Sequence, residues 1–470
     1  MNQNSDARDF ENSNLWLKRN SINMKKALKK AETIDLYQGY FLLLCLVFSF
    51  LSFFLWKRIS IGIFTLISMF LIEIVFRKEQ WLFRYFLGLL FVSIIVIFLS
   101  YYGFISQYGR PYLSGGSDDL HFEQVAEIYI SNGWFNFTEM HGYSTNDRLY
   151  VFLIELLMVF SNHIDSYHTI LPRIMNAFFL ILILGKVLWL AKYKLKYEND
   201  GIKAVFLFVF FNIYFIFTAV TISRDVVGLY FVVEVLFLLH SIDTDKQKRV
   251  IRIIGILLCL FLSYYLRGQL LPILIVMILI NRMFKNVKRL PRYAVFLLVF
   301  FAVLILVISF QLGLFTSISD YNSTYTDYQV ARGGLSGTII GMPLLPFGAV
   351  LRFGLGLIYP FPSFKTISLI DETWLISLIF VLSYLYEFYV FIKIPNLIKC
   401  FVNQTEYSVY YLYYLLQFCM LTFTFRHYIF AVPFYALILG EKKNRYQEKL
   451  SVLGMMFVYC LLQIVYSLMG

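Results

Sequence analysis

The residues able to do chemistry fall in a few tight groups. Ser117-Asp118-Asp119 is followed by His121, Glu123 and Glu127, so two adjacent carboxylates open a segment with helical spacing. Carboxylates at a helix start interact favourably with the unpaired N–H groups there. The group therefore reads either as a helix cap with solvated neighbours or as a general base with a second acid beside it. Ser223-Arg224-Asp225 is the second group, and Arg267, Arg352 and Arg426-His427 form the third. All of these interrupt apolar sequence, where a charge is costly unless it is paired or wet. The planar fork of arginine suits phosphate oxygens, so this set fits a phosphorylated ligand; snorkelling to an interface is the plainer use. His121 is a candidate metal or sugar contact.

The elements that must position these groups are membrane spans. Of 470 residues, 59% are hydrophobic, 19% aromatic and 15% charged, with a mean hydropathy of +0.69. A soluble chain has about 45–50% apolar and about 25% charged residues, so a soluble enzyme, a disordered chain and a disulfide scaffold are excluded. Cys45, Cys259, Cys400, Cys419 and Cys460 lie in or beside apolar runs with no CxxC pair, which points to neither zinc nor disulfides. The net charge of +12 sits in short clusters between apolar runs, as loop anchors do. Nucleic acid is therefore not an expected partner. No GxxxxGK[ST] stretch occurs, which argues against an ATP-driven transporter.

Loop charge sets the expected topology. Apolar runs lie near 36–56, 60–76, 82–104, 148–161, 168–191, 204–222, 226–240, 253–266, 268–281, 293–313, 369–392, 405–424, 427–440 and 450–469. If every run crosses, the basic loops near 192–203 and 241–252 fall outside, against the positive-inside rule. Letting 148–161 lie along the surface repairs both. The later loops on the cytoplasmic side then carry 19 Lys and Arg, against eight on the other side from 104 onward. The expectation is an all-α polytopic transmembrane bundle of about 13 spans. Residues 1–35 form a cytoplasmic leader, and 36–470 a single transmembrane domain with outer loops 104–167 and 314–368. Every group singled out above falls on the outer face.

A span, then an acidic residue opening a helix of pattern D-[DE]-x-x-[YHF]-x-x-x-A, here Asp118 to Ala126, resembles the GT-C membrane glycosyltransferases. That superfamily includes the protein O-mannosyltransferases and the aminoarabinose transferase of lipid A. Leu171-Pro172-Arg173-Ile174-Met175-Asn176 also resembles the Arg-containing start of the family's next span. The resemblance covers roughly residues 82–240. It implies two helices lying along the membrane surface, here 120–132 and 148–161, and a catalytic acid in the first outer loop. It also implies a second acid in a later outer loop, matched by Asp225. The chain departs from the pattern by placing Arg224 before Asp225, and by an added hairpin at 36–76.

On this resemblance the chain is expected to move a sugar from a polyprenyl-phosphate carrier to a glycan, lipid or protein acceptor, with inversion. The setting would be the outer face of a bacterial cytoplasmic membrane, in cell-envelope glycan assembly. Asp118, Asp119 and Asp225 are the expected catalytic residues; Arg224, Arg267, Arg352, Arg426, His427 and Glu123 are expected to bind substrate. Asp119, Asp225 and His121 are the candidate ligands for a divalent ion, Mg2+ or Mn2+. A surface-polysaccharide polymerase competes with this reading, because it too uses many spans, outer arginines and one large outer loop. A lipid-linked oligosaccharide flippase is a third reading; transporters place ionisable groups near the midplane, whereas these charges gather at one face.

Overall fold

The computed structural model describes residues 36–116, 118–133, 147–244, 248–286, 327, 330, 341–342, 348, 351–352, 374–403, 406–417, 425–440 and 453–461. Among them there are helices and turns and no strand. The leader 1–35, the expected span 293–313 and most of the loop 314–368 lie outside the described residues. Seven described helices are long and apolar enough to cross a membrane, or eight if one bent pair is a single span. The chain is thus an all-α protein with several helices suited to a bilayer.

Contacts divide the chain into two compact units, 1–91 and 92–470. In the first, α1 (Leu36–Trp56) and α2 (Ile59–Phe76) form a hairpin. Gln38 Nε2 donates to Glu73 Oε1 at 2.8 Å, and the Phe41 ring meets Phe83 and Phe86. Much of the apolar surface of these two helices is exposed, from Leu43 to Val75, as lipid-facing spans require.

The second unit contains the groups of interest. The helix α3 (Phe83–Tyr108) runs into it and ends at Gly109. Two short helices follow, α4 (Asp118–Ser131) and α5 (Arg148–Asn162), packed on each other. In α5 the buried residues Tyr150, Val151, Ile154, Leu157, Met158 and Ser161 recur at three- and four-residue spacing, one face of a helix. These two are the elements that the sequence reading lays along the surface.

At the centre is α6 (Ile170–Trp189), nearly all of it buried. Pro172 fits within its first turn because N–H groups there lack helical partners anyway. The ring of His168 accepts from Ile170 N at 3.2 Å. Around α6 pack α8 (Ile213–Val220) and α9 (Asp225–Thr244), and α9 packs in turn on α10 (Arg249–Leu266). The run 204–222, expected as one span, is broken. It forms α7 (Asn199–Phe211) and α8, bent by 63°. Asn212 causes the break: its side chain accepts from Phe215 N at 2.9 Å and starts a new helix, as a capping asparagine does. The remaining described helices named below are α11 (Leu270–Asn286), α12 (Trp374–Asn403), α13 (Glu406–Gln417), α14 (Phe425–Tyr428) and α15 (Val432–Leu439).

Candidate active site

The first acidic group is not a solvated cap. The buried face of α4 is Asp119, Phe122, Glu123, Val125 and Ala126, an i, i+3, i+4 stripe that includes two carboxylates one turn apart. Asp119 is 4% exposed and Glu123 3%. Asp118 and His121 stand on the exposed face. Of the two adjacent aspartates, helix geometry turns only Asp119 inward.

Each buried carboxylate is met by donors, as burial demands. Asp119 Oδ2 accepts from Leu113 N at 2.6 Å and Oδ1 from Leu120 N at 3.1 Å. Glu123 Oε2 accepts from the Tyr112 hydroxyl at 2.5 Å, and Oε1 from the Tyr167 hydroxyl. Behind them lies Arg173, fully buried, which donates to the Pro111 carbonyl and to Ser100 Oγ at 3.2 Å. Its guanidinium also lies 5.7 Å from the Phe104 ring centroid. Burial pushes the Glu123 carboxyl up to about 7, although both tyrosine hydroxyls and Arg173 favour its charged form. The Tyr112 and Tyr167 hydroxyls are pushed up first by burial and then by the carboxylate they face, so they act as donors.

One turn further along α6, Asn176 joins this group to the next. Its Nδ2 donates to the Thr221 carbonyl at 2.6 Å, the Ser223 carbonyl at 3.1 Å and the Tyr150 hydroxyl at 3.1 Å. Tyr150 in turn packs on Phe122 of α4, the ring centroids 5.1 Å apart. The first two turns of α6 therefore hold the segment before α4 through Arg173 and the Pro111 carbonyl, α5 through Asn176 and Tyr150, and the turn before α9 through Asn176 and two carbonyls.

That turn presents the second group. Ser223 Oγ donates to Asp225 Oδ2 at 2.9 Å, and Asp225, 1% exposed, opens α9. Arg267, just past the end of α10, places Nη1 3.1 Å from Asp225 Oδ1 and Nη2 2.8 Å from His427 Nε2. Asp225, Arg267 and His427, named from separate stretches of sequence, meet in one place. Arg224 turns away to pair with Asp147 at the start of α5.

Other expected site residues stand elsewhere. Arg352 donates to the Met342 carbonyl at 3.3 Å, within a loop that is mostly outside the described residues. The side chain of Arg426 lies outside them as well. Among the described residues, no three His, Cys, Asp or Glu side chains gather as a metal-ligand set. The donor set does not fit a divalent ion: backbone N–H groups occupy Asp119, Arg267 matches Asp225, and His121 is exposed.

Sequence reasoning did not single out Tyr112, Tyr167 or Asn176. The two tyrosines were hidden among 35. Asn176 carried a usable signal, since a polar side chain in the apolar body of a span usually has a partner. No family model matches the chain, and no curated protein or solved structure matches it either.

Proposed function

We propose that this chain is a membrane glycosyltransferase that moves a sugar from a polyprenyl-phosphate carrier to an acceptor hydroxyl at the outer face of a bacterial cytoplasmic membrane. The observation that carries the reading is two buried polar groups joined to one helix: Asp119 and Glu123, held by residues 111–113 that Arg173 of α6 also grips, and Asp225, Arg267 and His427, whose turn Asn176 of α6 holds through the Ser223 carbonyl. It sets a carboxylate pair and an arginine–histidine pair at one end of a helix bundle whose outer surface suits lipid. A substrate with a hydrocarbon tail and a charged, hydroxylated head needs that combination.

In this reading the acceptor oxygen attacks the anomeric carbon while its proton passes to Asp119, a general-base contribution of about 10²–10⁴-fold. Glu123 accepts a second hydroxyl and orients the acceptor. The bond from the anomeric carbon to the phosphate oxygen breaks, and the polyprenyl phosphate leaves with its electrons. Arg267 meets the charge that grows on that phosphate, while Asp225 and His427, whose Nε2 accepts from Nη2 at 2.8 Å, aim the Arg267 fork. No step is routed through a metal.

The Arg267–His427 pair also suits a surface-polysaccharide polymerase, which needs a cation beside the same phosphate but less from Asp119. One experiment separates the two. The protein in lipid nanodiscs is given radiolabelled polyprenyl-phosphate sugars and an envelope acceptor fraction, as wild type and as Asp119→Asn, Glu123→Gln, Asp225→Asn and Arg267→Ala. Loss of transfer in Asp119→Asn with lipid binding retained supports the transferase. If all three acidic variants match wild type while Arg267→Ala abolishes chain elongation, the polymerase reading replaces it.

A further inference from the structure

Three consecutive residues, Pro111, Tyr112 and Leu113, each occupy a different buried charged group. The Pro111 carbonyl takes Arg173, the Tyr112 hydroxyl donates to Glu123 at 2.5 Å, and the Leu113 N–H donates to Asp119 at 2.6 Å. The grip is polar, with little apolar burial. Leu113 stays 40% exposed, and the only regular structure is one 3-10 turn, Leu113–Gly115.

The segment also has a glycine at each end in a left-handed conformation. Gly109 has φ +70°, and Gly115 and Gly116 have φ +78° and +131°. Such angles are strained for other residues. At Gly109 a Cβ would meet nothing within 4 Å, so there the glycine serves backbone conformation alone.

We infer that Gly109–Gly116 is a hinged strap, closed here over Asp119, Glu123 and Arg173, and that it lifts to admit a polyhydroxylated ligand. Lifting it frees one oxygen of each carboxylate and one edge of the Arg173 guanidinium, while Tyr167 stays on Glu123. Two acceptors beside a donor fork match vicinal hydroxyls, which donate to carboxylates and accept from arginine. The ligand class rests on the function proposed above; the hinge and the closure do not.

Hydrogen–deuterium exchange read by mass spectrometry on the full chain in nanodiscs tests the strap without any transfer assay. Tyr112→Phe removes one clamp, a hydrogen bond to a charged acceptor, and is expected to speed exchange in peptides covering 109–116 by roughly 10- to 100-fold. Gly109→Ala strains only the closed conformation and is expected to speed it by roughly 5- to 30-fold. In both variants peptides from α6 and α9 keep wild-type exchange. If α6 exchange rises with the strap, or if neither variant changes 109–116, the segment is a fixed plug and the proposal fails. Adding a short-chain polyprenyl-phosphate hexose with a soluble oligosaccharide to wild type is expected to change exchange in 109–116. No change there, with the variants behaving as expected, keeps the hinge and overturns the ligand class.

Discussion

Three sets of buried polar and charged groups sit at different depths along the same helix, and the partners of the upper set differ in kind from those of the two deeper ones. Asp225 opens α9 and belongs to the candidate site. Farther down α9, Glu234 pairs with Lys186 of α6. Farther still, His240 lies 3.8 Å from Glu406 of α13 and shares the Tyr407 hydroxyl at 3.2 Å. Glu406 also accepts from Asn281 of α11 at 2.7 Å and from Tyr410 at 3.0 Å. The fifteen residues from Asp225 to His240 correspond to about 22 Å of helix. In the deep sets the bonds described run between side chains of α6, α9, α11 and α13. Around the site, loop backbone supplies many of them: Pro111, Leu113, Thr221 and Ser223.

The difference is physical. A bond to a loop carbonyl or N–H can be exchanged for a ligand by moving a few residues. A bond between two spans is lost only when the spans separate. The deep pairs therefore tie helices to one another, whereas the bonds around the upper groups involve loop backbone. A buried pair is weak evidence for net stability, but removing one partner is expensive because it leaves an uncompensated charge.

The largest expected effect sharpens this contrast. Asp119→Asn should lower sugar transfer by about 10²–10⁴-fold, while the melting temperature falls less than in the deep variants, because only one of its two backbone N–H partners loses an acceptor. The deep pairs should behave oppositely. Lys186→Met, which strands Glu234, should cost about 3–5 kcal/mol of stability, seen as a lower melting temperature in detergent. Lys186→Met with Glu234→Gln should recover most of that. Equal activity loss and equal melting shifts in the upper and deep variants would erase the distinction.

Asn176 stands between the two behaviours, since it sits in a span yet bonds to loop carbonyls. Asn176→Ala leaves the Thr221 and Ser223 carbonyls without this donor and should cost about 1–3 kcal/mol. It should also weaken transfer through displacement of Asp225, raising KM for the lipid donor more than it lowers kcat. A pH profile gives a subtler check. With Glu123 at about 7, its carboxylate, the form that accepts from an acceptor hydroxyl, is lost as pH falls through 7. Transfer should therefore decline below about pH 7, and Glu123→Gln should remove that limb. The sign for stability is opposite. A carboxyl raised above its ordinary value binds protons preferentially in the folded state, so its contribution to stability is present at low pH and lost as pH rises through 7. The smallest expected effect is Asn212→Ala, which removes a helix cap for about 1 kcal/mol, measured by thermal unfolding.

Much of the helical layout was legible because its signal is local. Apolar runs near 82–104, 168–191, 226–240 and 253–266 became α3, α6, α9 and α10, and the short segment at 148–161 became α5 with one buried face. The break at Asn212 was not legible. An apolar run has no period that marks where one side chain captures a backbone N–H and ends a helix.

By itself the sequence determined the class of the protein and the residues with chemical capacity. Composition demands lipid around the helices, and the charged residues stand out because they are few. Only the tertiary structure decided which of them act together. Helix rotation chose Asp119 over Asp118 and paired it with Glu123. Chain folding brought Arg267 to Asp225 across 42 residues and to His427 across 160. It also laid Pro111, Tyr112 and Leu113 over three charges on two other helices. The periodicity of a helix is written in neighbouring residues, whereas the partner of a buried charge depends on how the helices pack. No spacing in the chain encodes that packing.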